Sequence, residues 1–267
     1  MSDRLRVAVF RPDDERLTAA VEFLESRGAT AVPDPMLAVE PTGAVPEAGD
    51  WAVFTSKTGV ELAADAGWSP ATAADRDGDT PAVACIGPST AEAAEAVGWT
   101  VDLIPEEYSS TGLVAAFGGA DRGSKDGRAA SGDAVGVDGV RIEVARSDHG
   151  SEVLVDGLRD AGATVHETVL YELVRPEGSG DSASAAARGD LDGACFTSSL
   201  TVDHFLDAAA ERGVRETAVD GLDDAVVGCI GHPTRETAEE RGIDVAVVPP
   251  EASFETLAEA VLAESND

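Results

Sequence analysis

The sequence predicts an α/β protein made of two similar halves, each built on a mainly parallel sheet. Three observations carry this. Strand-like apolar runs alternate with segments of helical periodicity, the order that produces parallel sheets. The stretch Cys85-Ile86-Gly87-Pro88-Ser89-Thr90 recurs as Cys229-Ile230-Gly231-His232-Pro233-Thr234. The match then continues at a constant offset of 144 residues (231 − 87), through Ala94 on Ala238 and Gly98 on Gly242 to Pro105 on Pro249 and Leu113 on Leu257. A fixed internal match of this length reads as a duplication.

In chain order, residues 5–10 read as a strand closed by Arg11-Pro12. Asp13–Glu15 suit the positive end of a helix, Leu17, Val21 and Leu24 recur at helical spacing, and Gly28 ends it. Ala31–Glu40, with Pro33 and Pro35, reads as an edge strand or crossing linker. Trp51–Thr55 is a strand, followed by a helix for which Thr58 and Glu61 have capping-box spacing. Residues 69–80 read as polar loop, and Ala82–Ile86 as a buried strand. Ser89 and Glu92 suggest another capping box, on a helix that runs to Gly98. A strand at Thr100–Ile104 and a helix from Thr111 to Phe117 follow.

Residues 118–139, rich in Gly, Asp, Ser and Ala, read as a surface insertion. Val140–Ala145 is a strand, Val153, Leu154 and Leu158 mark a helix ended by Gly162, and Thr164–Val174 is extended. Residues 177–189 read as a second low-complexity loop. Gly193–Thr197 is a strand, and its helix runs through Phe205-Leu206 to Gly213. Val226–Ile230 and Val245–Val248 are strands around a helix ended by Gly242, and Phe254–Leu262 closes the chain.

The duplication reaches the chain start, because Arg6–Arg11 matches Arg141–Arg146 and Phe54-Thr55-Ser56 matches Phe196-Thr197-Ser198. The halves are then roughly 1–135 and 136–267, each flavodoxin-like or Rossmann-like in its order of elements.

Composition narrows the partners. With 19 basic against 51 acidic residues the net charge is −32, and only Lys57 and Lys125 are lysines. Such a surface repels nucleic acid and anionic lipid, so neither is expected as a partner. Spread acidity with almost no lysine suggests a proteome adapted to molar salt, where the Debye length shrinks to about 3 Å. No secretory signal is expected at Met1-Ser2-Asp3-Arg4, and no apolar run approaches a membrane span. Cys85, Cys195 and Cys229 sit in apolar runs and read as core residues in a reducing cytoplasm. The four histidines are scattered and none has ligand spacing with a cysteine, so no metal site is expected. A monomer is expected.

In open α/β sheets ligands bind beyond the carboxyl ends of the strands. Three kinds of residue fall there in both halves. They are the strand-end serines Ser56 and Ser198, the Gly-x-x-Thr turns Gly87–Thr90 and Gly231–Thr234, and the arginines Arg11 and Arg146. Hydroxyls, helix-start N–H groups and a few cations suit carboxylates or phosphates. Each hydroxyl alone is first read as a helix cap; the repetition in both halves is what points to a shared anion-binding cleft. No phosphate loop, dinucleotide fingerprint or nucleophile elbow is present. Tyr171, in Val169-Leu170-Tyr171-Glu172, is either a packed edge-strand aromatic or a phenol lining a cleft.

Phe54-Thr55-Ser56 with Gly59-Val60, Ile86–Thr90, Val169–Glu172, Phe196-Thr197-Ser198, Ile230–Thr234 and the closing Val247-Val248-Pro249 and Leu257 together resemble uroporphyrinogen-III synthases. They occur in that family's order, over nearly the whole chain apart from 118–139 and 177–189. The resemblance implies two α/β domains joined by two crossing strands, with residues 1–35 and 173–267 in the first and 36–172 in the second. It implies closure of a small-molecule substrate, hydroxymethylbilane, with inversion of its last ring and loss of water, in an interdomain cleft and without cofactor. Carried over by position, Tyr171 assists departure of the substrate hydroxyl. Ser56, Thr90, Ser198 and Thr234, with Gly87 and Gly231, hold substrate carboxylates, helped by Arg11 and Arg146. Lys57 departs from the small or neutral residue expected after that serine. The alternative is a non-catalytic two-domain protein that binds a small acid. A regulator with a synthase-like domain would need a basic DNA-binding segment that this chain does not offer.

Overall fold

The computed structural model describes residues 4–74, 78–118 and 135–265. In chain order the elements are β1 (Arg6–Phe10), α1 (Glu15–Ser26), β2 (Thr30–Pro33), β3 (Ala38–Pro41), β4 (Trp51–Phe54), α2 (Lys57–Asp65), β5 (Ala82–Cys85), α3 (Pro88–Ala96) and α4 (Ser110–Phe117). There follow β6 (Arg141–Ser147), α5 (Glu152–Asp160), β7 (Thr164–Val174), α6 (Asp181–Ala187), β8 (Gly193–Phe196), α7 (Ser199–Glu211), α8 (Arg215–Asp223), β9 (Val226–Cys229), α9 (His232–Glu240) and α10 (Phe254–Glu264). The chain divides into two compact units, Met1–Ala38 with Val174–Asp267 (unit 1) and Val39–Leu173 (unit 2).

Unit 1 holds a four-stranded sheet of order β2-β1-β8-β9, every neighbour parallel. Alternate residues of β1 feed two cores. Val7 and Val9 pack with Leu24, Leu257 and Val261, while Ala8 and Phe10 pack with Phe196, Phe205 and Leu206. Burial on both faces is why such strands read as unbroken apolar runs. Phe10 stacks on Phe196 with ring centroids 4.5 Å apart. The edge position of β2 accommodates Pro33, whose missing N–H would break a central ladder.

Unit 2 holds a five-stranded sheet of order β3-β7-β6-β4-β5, in which β4–β5, β4–β6 and β6–β7 are parallel. One face carries Phe54, Trp68 and Trp99, in mutual ring contact at 4.9–5.4 Å. The other carries Trp51, Val53, Phe117, Ile142 and Leu158. The strand order β7-β6-β4-β5 repeats that of β2-β1-β8-β9. Beyond the last strand of each set lies a single bridge, Ala84 to Leu103 in unit 2 and Gly228 to Val247 in unit 1. The three cysteines are buried and free, and burial pushes each thiol up to about 12, so none is a ready nucleophile. Among the described residues no helix is long and apolar enough to cross a membrane.

Several local expectations need correction. Residues 177–189 are not a loop: α6 lies there with Ser182, Ala183, Ala185 and Ala186 buried. The carboxylate of Asp34 accepts from the N–H groups of Gly180 (2.8 Å) and Ser182 (2.9 Å) and from the Ser182 hydroxyl, which anchors the helix start. Helix α8 lies between Gly213 and Val226, where no element is expected. Thr100–Ile104 and Val245–Val248 pair only through the single bridges. The cap of α2 is Ser56 and not Thr58, and Glu61 pairs instead with Lys57 at 3.4 Å. Helix α3 begins at Gly87 with Pro88 in its first turn and no side-chain cap, so Ser89 and Glu92 form no capping box. Most of the expected insertion, 119–134, lies outside the described residues.

Candidate functional site

The carboxyl ends of the unit 2 strands surround a cavity of about 240 Å³. Thr55 and Ser56 reach it from the end of β4, Ile86 from β5, Arg146 and Ser147 from β6, and Tyr171 from β7. Ser110 at the start of α4, and His149 to Ser151 ahead of α5, complete most of the lining.

Tyr171 owes its direction to a break in strand register. Arg146 pairs with Val169, but Ser147 pairs with Tyr171, so β7 carries an extra residue at this point. Such a bulge rotates the following side chain relative to simple alternation. Leu170 and Tyr171 accordingly both join the apolar cluster of Phe54, Val60 and Ala145. Tyr171 is 7 % exposed, and its hydroxyl donates to Ser56 Oγ at 2.9 Å, across 115 residues of sequence.

Ser56 does two things at once. Its backbone is extended and its Oγ accepts from Gly59 N–H at 3.0 Å, which caps α2. A hydroxyl has two acceptor positions and one donor. With Tyr171 and Gly59 occupying the acceptors, the Ser56 O–H is left to donate into the cavity.

Arg146 lines the cavity, but its charge is already matched. Nη2 meets Glu152 at 2.6 Å and Glu167 at 2.7 Å, and Nη1 donates to the Ser151 carbonyl at 2.8 Å. Only Nε is buried without a partner. Arg11, at the matching position after β1, differs. It makes no ion pair among the described residues, lies 5.4 Å from the centre of the Phe254 ring, and also has a buried, unpartnered Nε. Burial lowers its pKa, Arg16 lowers it further, and Asp14 and Glu255 oppose both. An arginine remains charged through such shifts.

Thr90 and Thr234 are buried, at 2 % and 4 %, inside the first turns of α3 and α9, and neither lines the cavity. Gly87 and Gly231 are the starting residues of those helices, and no side chain caps either one. Their first-turn N–H groups are therefore open to an anion. Ser198 caps α7 in a capping box with Thr201 and has no phenol partner among its described hydrogen bonds. Of the expected site residues, then, the structure brings together Tyr171, Ser56 and Arg146 in unit 2. Arg11, Ser198, Gly231 and Thr234 belong to unit 1.

His149 and its partner were not expected. The ring Nδ1 lies 2.9 Å from Asp148 Oδ1, and Asp148 also accepts from Leu173 N–H at 3.0 Å. Burial pushes the Asp148 carboxyl up, but the hydrogen bonds from His149 and Leu173 outweigh it and hold the group below its ordinary value. The signal was present in sequence: Asp148 to Ser151 is the turn after β6, the same kind of position as the Thr-Ser after β4. Among the described residues no cluster of three or more His, Cys, Asp or Glu has the geometry to hold a metal.

A family model described as uroporphyrinogen-III synthase HemD matches residues 18–259. A Methanothermobacter thermautotrophicus protein named "Putative uroporphyrinogen-III synthase" is 31% identical over 254 residues, covering 91% of this chain and 92% of its own. Among solved structures, a mutant uroporphyrinogen III synthase of Thermus thermophilus matches with a TM-score of 0.64 at 16% identity, over 98% of both chains. A uroporphyrinogen-III synthetase of Helicobacter pylori matches with a TM-score of 0.55 at 14% identity, over 98% of this chain and 100% of that one. At those identities the two structures speak to the fold.

Proposed function

The chain belongs to the uroporphyrinogen-III synthase family, and from that membership we propose which of its residues carry the reaction. The reaction is the cyclisation of hydroxymethylbilane, a linear tetrapyrrole, in tetrapyrrole biosynthesis. It is a lyase reaction: water leaves, and the last ring is inverted as the macrocycle closes to uroporphyrinogen III. The repeated strand order supports reading the two units as copies of one ancestral half.

The observation that carries the assignment of roles is the 2.9 Å hydrogen bond from Tyr171 to Ser56 inside the cavity. When the substrate hydroxyl departs, its oxygen takes the electrons of the C–O bond and needs a proton. The Ser56 O–H is placed to donate to that oxygen, and the Tyr171 phenol donates in turn to Ser56 Oγ, which strengthens the first bond. The cation left on the substrate is delocalised over its pyrrole and faces the oxygen dipoles of the lining hydroxyls. Inversion is a matter of orientation, because the substituted carbon of the last ring must reach the cation before the unsubstituted one does. Arg11, which makes no ion pair among the described residues, serves a substrate carboxylate. The open helix starts at Gly87 and Gly231 and the hydroxyl of Ser198 serve others. Buried Thr90 and Thr234 act by shaping those turns, and Arg146 by holding the loop before α5.

The test is the product isomer. Hydroxymethylbilane closes spontaneously to the type I isomer, so it is generated, mixed with the protein in ~1 M KCl to screen surface charge, oxidised, and the porphyrins separated. Dominant type III is expected. Type I at the spontaneous rate, from folded protein, would leave a binding protein for a small acid.

The net charge of −32 opposes a substrate that carries many carboxylates. We propose adaptation to molar salt as the resolution. Initial rates at subsaturating substrate should rise about tenfold between low salt and ~1–2 M KCl as the repulsive field is screened. A flat salt profile would dismiss this reading.

A further inference from the structure

Tyr108, the other of the two tyrosines in the chain, has no role in the site as derived so far. It is 63% exposed. A single exposed aromatic is ordinary on a protein surface, but the seat of this ring is not. A Cβ placed on Gly87 would lie 3.3 Å from Tyr108 Cβ, 3.5 Å from Cγ and 3.8 Å from Cδ1. The base of the ring therefore rests on the bare backbone of Gly87. That glycine has φ −170°, an extended backbone open to any residue. A side chain there would crowd Tyr108, which would have to give by a few tenths of an ångström.

Both flanks of this contact reach the cavity. Ile86, just before Gly87, lines it, and so does Ser110, two residues after Tyr108. The loop that carries the ring is pinned. Ser109 Oγ accepts from Gly112 N–H at 2.9 Å and donates to Glu107 at 2.8 Å. The carbonyl of Glu107 lies only 1.9 Å from where a Cβ on Gly112 would be. An exposed aromatic ring on a pinned loop thus sits beside Gly87, between the two lining residues Ile86 and Ser110.

We propose that Tyr108 is a stacking platform for one pyrrole ring of the linear tetrapyrrole. This rests on the functional reading above and adds a residue to it. The cavity, at about 240 Å³, is below the 300–1,000 Å³ that drug-sized ligands occupy. A tetrapyrrole is larger still, so most of its rings must extend beyond this cavity. A stacked ring also supplies affinity without charge, which suits an anionic ligand on an acidic protein. Stacking on an aromatic face is tolerant of substituents because only the ring plane is read.

The test compares Tyr108→Ala, Tyr108→Phe and Tyr108→Leu with the unmodified protein, all in ~1 M KCl. Steady-state kinetics on hydroxymethylbilane are read alongside fluorescence titration with uroporphyrin III. For the Ala and Leu variants KM and the porphyrin dissociation constant should rise about tenfold. Tyr108→Phe should stay within twofold, kcat should be little changed throughout, and the melting temperature should not move. Leu keeps the bulk over Gly87 without the aromatic face, so it separates stacking from loop support. The proposal is overturned if Ala and Leu bind as the unmodified protein does, if Leu behaves as Phe does, or if Phe is as impaired as Ala. Should the unmodified protein make no type III product, the functional reading fails, and the porphyrin titration still decides whether Tyr108 stacks a tetrapyrrole.

Discussion

Replacing Tyr171 by Phe should lower kcat about a hundredfold while leaving KM and the melting temperature close to their original values. The phenol oxygen is the only atom removed. The ring keeps its place beside Phe54, Val60 and Leu170, so the packing of unit 2 is retained. What is lost is the 2.9 Å donation to Ser56. Ser56 then accepts only from Gly59, and its own O–H becomes a poorer donor to the departing hydroxyl. Positioned proton donors contribute about 10²–10⁴-fold; the lower end is expected here because hydroxymethylbilane already loses its hydroxyl without help. Residual activity should remain for the same reason. Slower capture should also let spontaneous closure compete, so the type I fraction should grow. Ser56→Ala provides the contrast, since it removes the donor and also the cap of α2, at about 1 kcal/mol of stability. Single-turnover rates and isomer ratios measure both variants. Unchanged turnover in Tyr171→Phe would remove Tyr171 from the mechanism.

Gly221→Ala should be the most damaging small substitution in unit 1, at about 3 kcal/mol or more. A Cβ there would lie 1.9 Å from the carbonyl oxygen of Ala186 and 2.7 Å from its carbon. Both belong to α6, so one backbone faces another and no side chain can swing aside. Overpacking of this kind costs about 1–3 kcal/mol when neighbours relax, and more when they cannot. Against a typical total of about 5–15 kcal/mol that is a large share. Gly213→Ala is the control. Gly213 has φ +69° with nothing within 4 Å, so only backbone strain of about 1 kcal/mol is expected. Urea unfolding of both variants at one fixed KCl concentration makes the comparison. Equal, small losses would mean that α6 is not seated against α8 as described.

Helix α6 also shows where sequence reasoning failed. Its run of Ser and Ala has no strong apolar face, and alone it resembles linker. It is a helix because Gly221 lets α8 approach closely and because Asp34, 146 residues from Gly180, caps its start. Neither cause is local. The misplaced caps have a smaller origin: Ser56 and Thr58 are both good capping residues, and only the path of the strand before them decides between the two.

Read alone, the chain dictates the alternation of strands and helices and the sets of residues that end each strand. Burial on both faces of a sheet writes continuous apolar runs, and helix starts select hydroxyls and glycine. The same reading puts Ser56 and Arg146 at strand ends and leaves Tyr171 as either a packed edge-strand aromatic or a phenol lining a cleft. That Tyr171 meets Ser56 emerges only in the folded protein, since it depends on a one-residue bulge in β7. So does the difference between two arginines at matching positions, Arg146 held by Glu152 and Glu167 and Arg11 with no ion pair among the described residues. Periodicity records which face a residue is on. Which groups from distant strands share a place, and so which charges are matched, is settled by packing.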